Sequence, residues 1–254
     1  MNAIAQSRHS LLHCYWLEAR CEFLRLLRAP SFAVPTLVFP PMFYLLFGVL
    51  LGRPSGNSHV ATQLLATYGV FGVMAPGLFG FGVALALDRE RGFLALKRAL
   101  PMPPGAMLVA KLAMAMLFAA IIATMLLVLA VSVGHVALSP GQMAGLLFVD
   151  VLGVVPFCAI GLAIGTLVSG QGAPGVINLI YLPMAFLAGL WVPLQALPHI
   201  LQVAAPLWPA WHLAQIALDV AGAPSDGRIG LHVAVLATEA AVFFALARRR
   251  LARA

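Results

Sequence analysis

Six long apolar runs divide this sequence, and they constrain its fold more than any other feature. A helix needs about 20 consecutive apolar residues to cross the hydrocarbon core of a bilayer. The runs lie at residues 33–51, 64–87, 107–133, 143–168, 175–192 and 231–247. The chain is 62% hydrophobic and only 9% charged, a composition that excludes a soluble globular domain. We therefore predict an all-α integral membrane protein with six transmembrane helices, forming a single domain over residues 1–254.

The basic residues are unevenly distributed between the two sides of these spans. Four Arg or Lys residues precede the first span, four lie between the second and third, and four follow the sixth. Only Arg53 and Arg228 lie on the opposite side, and Lys111, near the start of the third span, can extend toward the first side. By the positive-inside rule, both termini are predicted to be cytoplasmic.

The first 28 residues predict an amphipathic helix that lies in the membrane interface. Its apolar face repeats every three or four residues, at Leu12, Trp16, Ala19, Phe23, Leu26 and Leu27. The opposite face carries Glu18, Glu22, Arg25 and Arg28. Because these charges interrupt any long apolar segment, we do not expect a signal peptide here.

The most polar stretch of the chain, residues 87–101, lies between the second and third predicted spans. It carries six charged side chains within eleven residues, Asp88, Arg89, Glu90, Arg91, Lys97 and Arg98. Such a stretch is expected to lie in water. Read as a helix, it has Phe93, Leu96 and Leu100 on one face and ends at Pro101. A short helix of this kind is suited to docking a soluble partner; the alternative is a solvated loop held near the membrane by its basic residues.

Residues 194–220 are also apolar, but four prolines interrupt them. Pro193, Pro198, Pro206 and Pro209 leave no piece long enough to cross a membrane. We predict two short half-helices that enter the outer leaflet and return.

Two acids, Asp150 and Glu239, lie within predicted spans, where ionisable groups are costly and suggest a functional role. The alternative is that both are held by packing. His232 lies seven residues before Glu239 on the same helix face, which fits either a proton relay or two polar groups packed against another helix.

Asn178 and Tyr181 in the fifth span could face a translocation route or form hydrogen bonds between helices.

Small residues and missing motifs narrow the possibilities further. Glycines in the second and fourth spans, including Gly77, Gly82, Gly161 and Gly165, allow close helix packing. The sequence has no GxxxxGK[ST] phosphate-binding loop, no HExxH and no GxSxG. The three cysteines form no CxxC pair, so we predict neither a disulfide framework nor a metal site. We expect no catalytic residue and no cofactor in this chain, and no nucleic-acid partner.

The chain resembles the permease subunit of ABC-2 type exporters in the order of its segments: an N-terminal interfacial helix, six spans, a charged first cytoplasmic loop and a proline-rich segment before the last span. Asp88-Arg89-Glu90-Arg91-Gly92, together with residues 96–101, resembles the coupling helix in the first cytoplasmic loop of that family. Residues 189–198 resemble its G-x-x-x-P-x-x-x-x-P segment before the last span, and Pro206 and Pro209 lie where that segment turns back. The chain departs from the family at Phe93 and Ala95, where a Thr or Ser and then an acid are common.

The resemblance implies a bacterial inner-membrane permease in which two copies of this chain, a homodimer, form the membrane pathway. A separate ATP-binding cassette ATPase, which binds ATP and Mg²⁺, would dock on residues 88–100 and on the N-terminal elbow helix, which includes Trp16, Glu18, Phe23 and Arg25. Asp88, Glu90 and Arg91 would set the docking register, and Phe93, Leu96 and Leu100 would fill an apolar groove.

The apolar character of the spans favours a lipophilic drug or a lipid-like natural product as cargo. A polysaccharide or glycolipid exporter of the same family is the alternative. From a different class, a proton-coupled secondary transporter would use Asp150 and Glu239 as proton carriers, although such folds usually contain repeats and none is evident here.

Overall fold

The computed structural model describes residues 2–51, 58–93, 96, 99 and 105–251, and no strand occurs within these ranges. The long helices are α1 (Asn2–Leu27), α2 (Pro30–Leu50), α3 (Ser58–Ala75, continued by Pro76–Val83 and Ala84–Glu90), α4 (Ala106–Ser132) and α5 (Pro140–Gly165). They are followed by α6 (Ala173–Leu187), α7 (His199–Ala204), α8 (Pro209–Ala221) and α9 (Ile229–Leu251).

Five helices in the described ranges, α2, α3, α4, α5 and α9, are long and apolar enough to cross a membrane. They correspond to five of the six predicted spans. The predicted span at residues 175–192 coincides with α6, which is apolar but only 15 residues long. The helix ends early because Gly189 adopts a left-handed conformation (φ 73°) and turns the chain toward Leu194.

The second predicted span extends further than expected. α3 continues to Glu90, so Asp88 and Arg89 belong to its last turn and not to a separate helix. The prediction that this whole stretch lies in water is wrong for Asp88, which is buried. The physical reason is that each of these polar side chains finds a partner within the protein.

The centre of the bundle is the contact between α3 and α5. A Cβ atom at Gly82 would lie 2.7 Å from the carbonyl oxygen of Gly161, and one at Gly161 would lie 2.7 Å from that of Gly77. Only glycine permits so close an approach of the two backbones, which confirms the predicted role of these residues. α3 is the most deeply buried of the long apolar helices and α9 is the least.

The proline-rich segment before α9 forms two short helices, α7 and α8, joined by a single turn at Ala205–Leu207. Pro209 begins α8, a favourable position because its missing N–H would have no helical partner there. α8 is largely buried and packs against α3, α5 and α9, whereas α7 is exposed.

Candidate functional site

Four charged side chains meet where the start of α4 approaches α1 and the end of α3. We call Glu22, Arg25, Asp88 and Lys111 the four-charge cluster. Lys111 Nζ lies 2.8 Å from Asp88 Oδ2 and 3.2 Å from both carboxylate oxygens of Glu22. Arg25 Nη1 donates to Asp88 Oδ1 at 3.0 Å, and Arg25 Nη2 lies 2.8 Å from Glu22 Oε2. Each cation therefore contacts both anions, and the four formal charges cancel.

Three members of the cluster are withdrawn from solvent. The exposed fraction is 0% for Lys111, 2% for Glu22 and 3% for Asp88. Burying a charge costs several kcal/mol in lost hydration, and only close, well-oriented partners offset that cost. The cluster therefore fixes the relative positions of α1, α3 and α4 wherever all four groups keep their charge.

The local sequence accounts for this arrangement. Glu22 and Arg25 are three residues apart on α1 and so project from the same side of the helix. The ring of Phe23 packs against that of Phe118 on α4, with centroids 5.2 Å apart, and this contact seats α1 beside α4. Lys111 lies in the second turn of α4, within reach of α1 and of Asp88.

The two residues after Asp88 fasten the end of α3 to a different helix. Arg89 donates from Nη1 to the carbonyl oxygen of Thr166 and from Nη2 to that of Val168, the second at 2.7 Å. These carbonyls follow the last turn of α5, where a cation is favourably placed against the helix dipole. Glu90 Oε2 accepts a hydrogen bond from the backbone N–H of Gly170 at 2.8 Å.

Beyond Glu90 the chain turns outward. Gly92 adopts a left-handed conformation (φ 74°), and the backbone N–H of Leu96 donates to the Gly92 carbonyl, which begins a new helical turn. Arg91 is exposed, as are the apolar side chains of Phe93 (41%) and Leu96 (58%). Leu100, also predicted to contact an ATPase, lies outside the described residues.

Sequence reasoning missed two members of the cluster. Lys111 was expected to extend toward water, and Glu22 was assigned to the polar face of an interfacial helix, yet both are buried. The available signal was a lone lysine in an otherwise uncharged span, which requires a nearby carboxylate. Of the other predicted residues on α1, Glu18 is half-buried and Trp16 is exposed beneath the Arg20 guanidinium, whose carbon lies 5.4 Å from the ring centroid.

Asn178 and Tyr181 lie in a groove between α2, α3 and α6, with a volume of about 390 Å³. We call it the aromatic groove. Its lining includes Phe43, Phe71, Phe79, Asn178, Tyr181 and Trp191. The Tyr181 ring lies 5.2 Å from that of Phe71 and 5.5 Å from that of Phe79, and its hydroxyl donates to the Phe71 carbonyl at 3.4 Å. Because none of the described residues that line it carries an ionisable acid or amine, the groove suits an uncharged, lipophilic surface.

The other two predicted pathway residues do not line this groove. Asp150 on α5 is buried against α3, where a Cβ atom at Gly69 would lie 2.7 Å from Asp150 Oδ2. Glu239 lies on α9. Among the described residues, Asp150 Oδ1 and Glu239 Oε2 are buried without a hydrogen-bond partner.

The histidine that sequence reasoning linked with Glu239 has other partners. His232 Nδ1 lies 2.8 Å from His212 Nδ1 on α8, and His232 Nε2 lies 2.7 Å from Asp226 Oδ1. The pairing of His232 with His212 was not foreseen from the sequence.

Comparison with known proteins agrees with this architecture. The model of the ABC-2 type transporter family matches residues 14–220. A relative named "Putative transport permease YvfS", from Bacillus subtilis (strain 168), is 26% identical over 225 residues, which cover 86% of this chain and 91% of that protein. The family-model match includes the four-charge cluster, the aromatic groove and α8 as far as Val220. The chain is therefore a multi-pass membrane permease of the ABC-2 type transporter family.

Proposed function

We propose that this chain is the permease subunit of an ATP-binding cassette exporter and that a separate ATPase drives it. The observation that carries the proposal is the construction of residues 88–96. Asp88, Arg89 and Glu90 fasten this segment to α1, α4 and α5, while Phe93 and Leu96 are exposed beyond it. An apolar turn that is held rigidly by three helices can receive a displacement from a docked partner and transmit it to the membrane domain.

The docking surface consists of Arg91, Phe93 and Leu96, continued by Leu100 outside the described residues. Phe93 and Leu96 fill an apolar groove of the ATPase, as in other helix-in-groove interactions, and Arg91 sets the register against an acidic group. Asp88 and Glu90 support this surface from behind, because their carboxylates are engaged by Lys111 and by the Gly170 N–H.

ATP and Mg²⁺ bind to the partner, since this sequence has no phosphate-binding loop. ATP changes the conformation of the permease only to the extent that the ATPase binds it more tightly in one state than in another. The displacement passes from the docking surface through the four-charge cluster to α1 and α4.

The proposed topology has six crossings, with both termini in the cytoplasm of a bacterial cell and the chain in its inner membrane. The four-charge cluster lies at the cytoplasmic end, in accordance with the positive-inside rule. α6 and the residues after it form the fifth crossing, α1 is the interfacial elbow, and α7 and α8 form the outer re-entrant segment.

Two copies of the chain form the pathway. The sides of the aromatic groove, α2 and α6, carry apolar side chains that are exposed in the single chain, including Phe39, Phe47, Leu179 and Leu182. Packing of a second copy against these faces encloses the groove between the protomers. The aromatic lining with one amide, Asn178, fits a lipophilic drug or a lipid-like natural product.

The test begins with purification of the tagged chain from its native membranes. We expect an ATP-binding cassette ATPase to accompany it at near-equal stoichiometry, and to be lost in the double variant Arg91→Glu with Phe93→Asp. His199→Gln, an exposed change at the start of α7, is the matched control and retains the ATPase. In proteoliposomes, the complex should move a lipophilic dye or a fluorescent phospholipid only when ATP is supplied.

Two results would overturn the proposal. One is a chain that purifies alone and transports in response to a pH gradient without ATP, with loss of transport in Asp150→Asn. The other is ATP-driven transport of a polysaccharide but of no lipophilic probe, which would replace the proposed cargo class.

A further inference from the structure

Three consecutive polar contacts join α8, α9 and the loop between them. His212 Nε2 lies 2.9 Å from the carbonyl oxygen of Pro206, and His212 Nδ1 lies 2.8 Å from His232 Nδ1. His232 Nε2 lies 2.7 Å from Asp226 Oδ1. Both imidazole rings are buried, and the ring of Trp211 packs edge-on against them at centroid distances of 5.0 and 5.2 Å.

The number of hydrogens that these three contacts need follows from the groups at their two ends, the Pro206 carbonyl and the Asp226 carboxylate. The Pro206 carbonyl can only accept, so His212 Nε2 must carry a hydrogen. The contact between the two Nδ1 atoms needs one hydrogen, and the contact between His232 Nε2 and Asp226 needs another. Three hydrogens are required, whereas two neutral imidazoles supply only two.

The third hydrogen resides on an imidazole and not on the carboxyl group. Partial burial acts to raise the pKa of Asp226, but hydrogen bonds from His232 and from the Arg228 backbone N–H outweigh it and lower that pKa. The contact between His232 Nε2 and the Asp226 carboxylate at 2.7 Å favours the extra hydrogen on His232, because the neighbours of His212 are a carbonyl oxygen and a ring nitrogen. Burial acts in the same direction, since it lowers the pKa of His212. His232, placed between a carboxylate and a ring nitrogen that accepts, is the imidazolium.

We infer that His212, His232 and Asp226 form a proton-binding site that fastens α8 and its preceding turn to the start of α9. With one extra proton bound, all three contacts are satisfied. With a second extra proton, both Nδ1 atoms carry hydrogen and repel each other. Without the extra proton, either the contact with Asp226 or the contact between the rings loses its hydrogen.

The charged groups around the site determine how His212, His232 and Asp226 bind protons. Among the described residues, the charged groups that act on His212 are His232 and Asp226, and Asp226 also faces Arg228. α3 and α5 pack against α8 as well, but the carboxyl of Asp150 on α5 is turned against Gly69 of α3. In the proposed topology the site lies at the outer end of the bundle, so the pH outside the cell would set how firmly the outer helices are held to the last span. This last consequence rests on the proposed function, whereas the site itself does not.

The site can be tested by ¹⁵N NMR of the full chain, labelled at histidine and reconstituted in lipid nanodiscs at neutral pH. Among the seven histidines of the chain, we expect His232 to be protonated on both nitrogens and His212 to be neutral and protonated on Nε2. The first signal should disappear in His232→Gln and the second in His212→Gln, and both should remain in His199→Gln. Neutral rings at both positions in the wild type, or an assigned imidazolium signal that survives in His232→Gln, would overturn the inference.

Asp226→Asn separates the proton-binding site from a merely structural contact. Asparagine removes the negative charge that balances the imidazolium. Its amide nitrogen can donate to His232 Nε2 in place of Oδ1, which in the wild type also accepts from the Arg228 N–H, so two neutral rings then complete the three contacts. We expect the imidazolium signal to vanish, His232 to become neutral with its hydrogen on Nδ1, and His212 to stay unchanged. An imidazolium that persists in Asp226→Asn would contradict the count of three hydrogens. These measurements need no ATPase and no cargo, so they fail or succeed independently of the proposed function.

Discussion

Lys111 and Asp88 lie 2.8 Å apart at the junction of α4 with α3, and neither side chain is accessible to solvent to more than a few per cent. The pair is part of the four-charge cluster, in which Lys111 also contacts both oxygens of Glu22. The buried lysine stabilises this arrangement, because without it only Arg25 would neutralise the two buried carboxylates.

Lys111→Met is therefore expected to destabilise the protein by about 3–5 kcal/mol, the usual cost of breaking a buried ion pair. Methionine keeps the length and apolar stem of lysine, so the loss reports the charge. The measurement is the thermal unfolding midpoint of the purified chain, with Arg20→Met, an exposed change on α1, as the control.

The double variant Lys111→Met with Glu22→Gln distinguishes charge from packing. Removing one anion together with the cation restores the charge balance with Arg25 and Asp88, so the double variant should be more stable than Lys111→Met alone. A double variant whose loss equals the sum of the two single losses would show that the charges are not coupled.

The helices were largely predictable from sequence because their apolar runs match the thickness of a bilayer. What composition could not reveal was which charged residues leave water. Asp88 and Lys111 are 23 positions apart in sequence. A lone lysine in an apolar span indicates a carboxylate nearby, but only the packing of α3 beside α4 identifies Asp88 as that partner. For the same reason the sequence predicts that Glu22 lies on the solvent-facing side of an interfacial helix, whereas in the structure Lys111 of α4 contacts it there.

The aromatic groove was predictable only in part. Asn178 and Tyr181 were recognised as polar residues in a span, and both line it. Asp150 and Glu239 carried the same signal, yet they lie on α5 and α9, away from the groove. A polar residue in an apolar run indicates a special environment, but it does not identify the cavity that the residue faces. The aromatic lining of this groove comes from α2, α3, α6 and Trp191 beyond the end of α6, which are distant in sequence.

Gly170→Ala should weaken the attachment of α3 to the end of α5. A Cβ atom at this position would collide with Glu90 Oε2 and would lie 3.1 Å from the backbone Cα of Leu87, so the chain must shift. We expect a loss of about 1–3 kcal/mol in stability, as for other overpacked sites. Gly175→Ala is the matched control, since no atom of the described residues lies within 4 Å of its added Cβ. Equal midpoints for the two variants would contradict the proposed effect of the Gly170 contact.

Under the proposed function, Asn178→Leu should change cargo selection without changing the attachment of the proposed ATPase. The amide of Asn178 is the polar group of α6 that is exposed in the groove, and loss of one hydrogen bond to a cargo corresponds to about 0.5–1.5 kcal/mol. Transport of a lipophilic probe with a hydrogen-bonding group should therefore fall about two- to tenfold relative to a hydrocarbon-like probe. Val128→Ala, an exposed change on α4 away from the groove lining, should leave the ratio of the two rates unchanged; an altered ratio in that variant would point to a different pathway.

The histidine site predicts how stability responds to acid. Burial lowers the pKa of His212 in the folded protein, so the unfolded chain binds a proton at this ring before the folded chain does. The stabilisation is therefore present above the ordinary histidine pKa of about 6.5 and is lost as the pH falls through the lower, folded-state pKa. The lowered pKa of Asp226 acts in the same direction at more acidic pH, near and below the usual value of about 3.9 for an aspartate.

The measurement is the unfolding midpoint of the wild type and of His212→Gln across a series of pH values below about 6.5. The difference between the two midpoints should shrink as the pH falls, because acid removes from the wild type what the substitution has already removed. His199→Gln, which changes an exposed histidine, should follow the wild type throughout. A midpoint difference that stays constant down to acidic pH would mean that His212 contributes packing alone, since a purely apolar contact has no proton to gain.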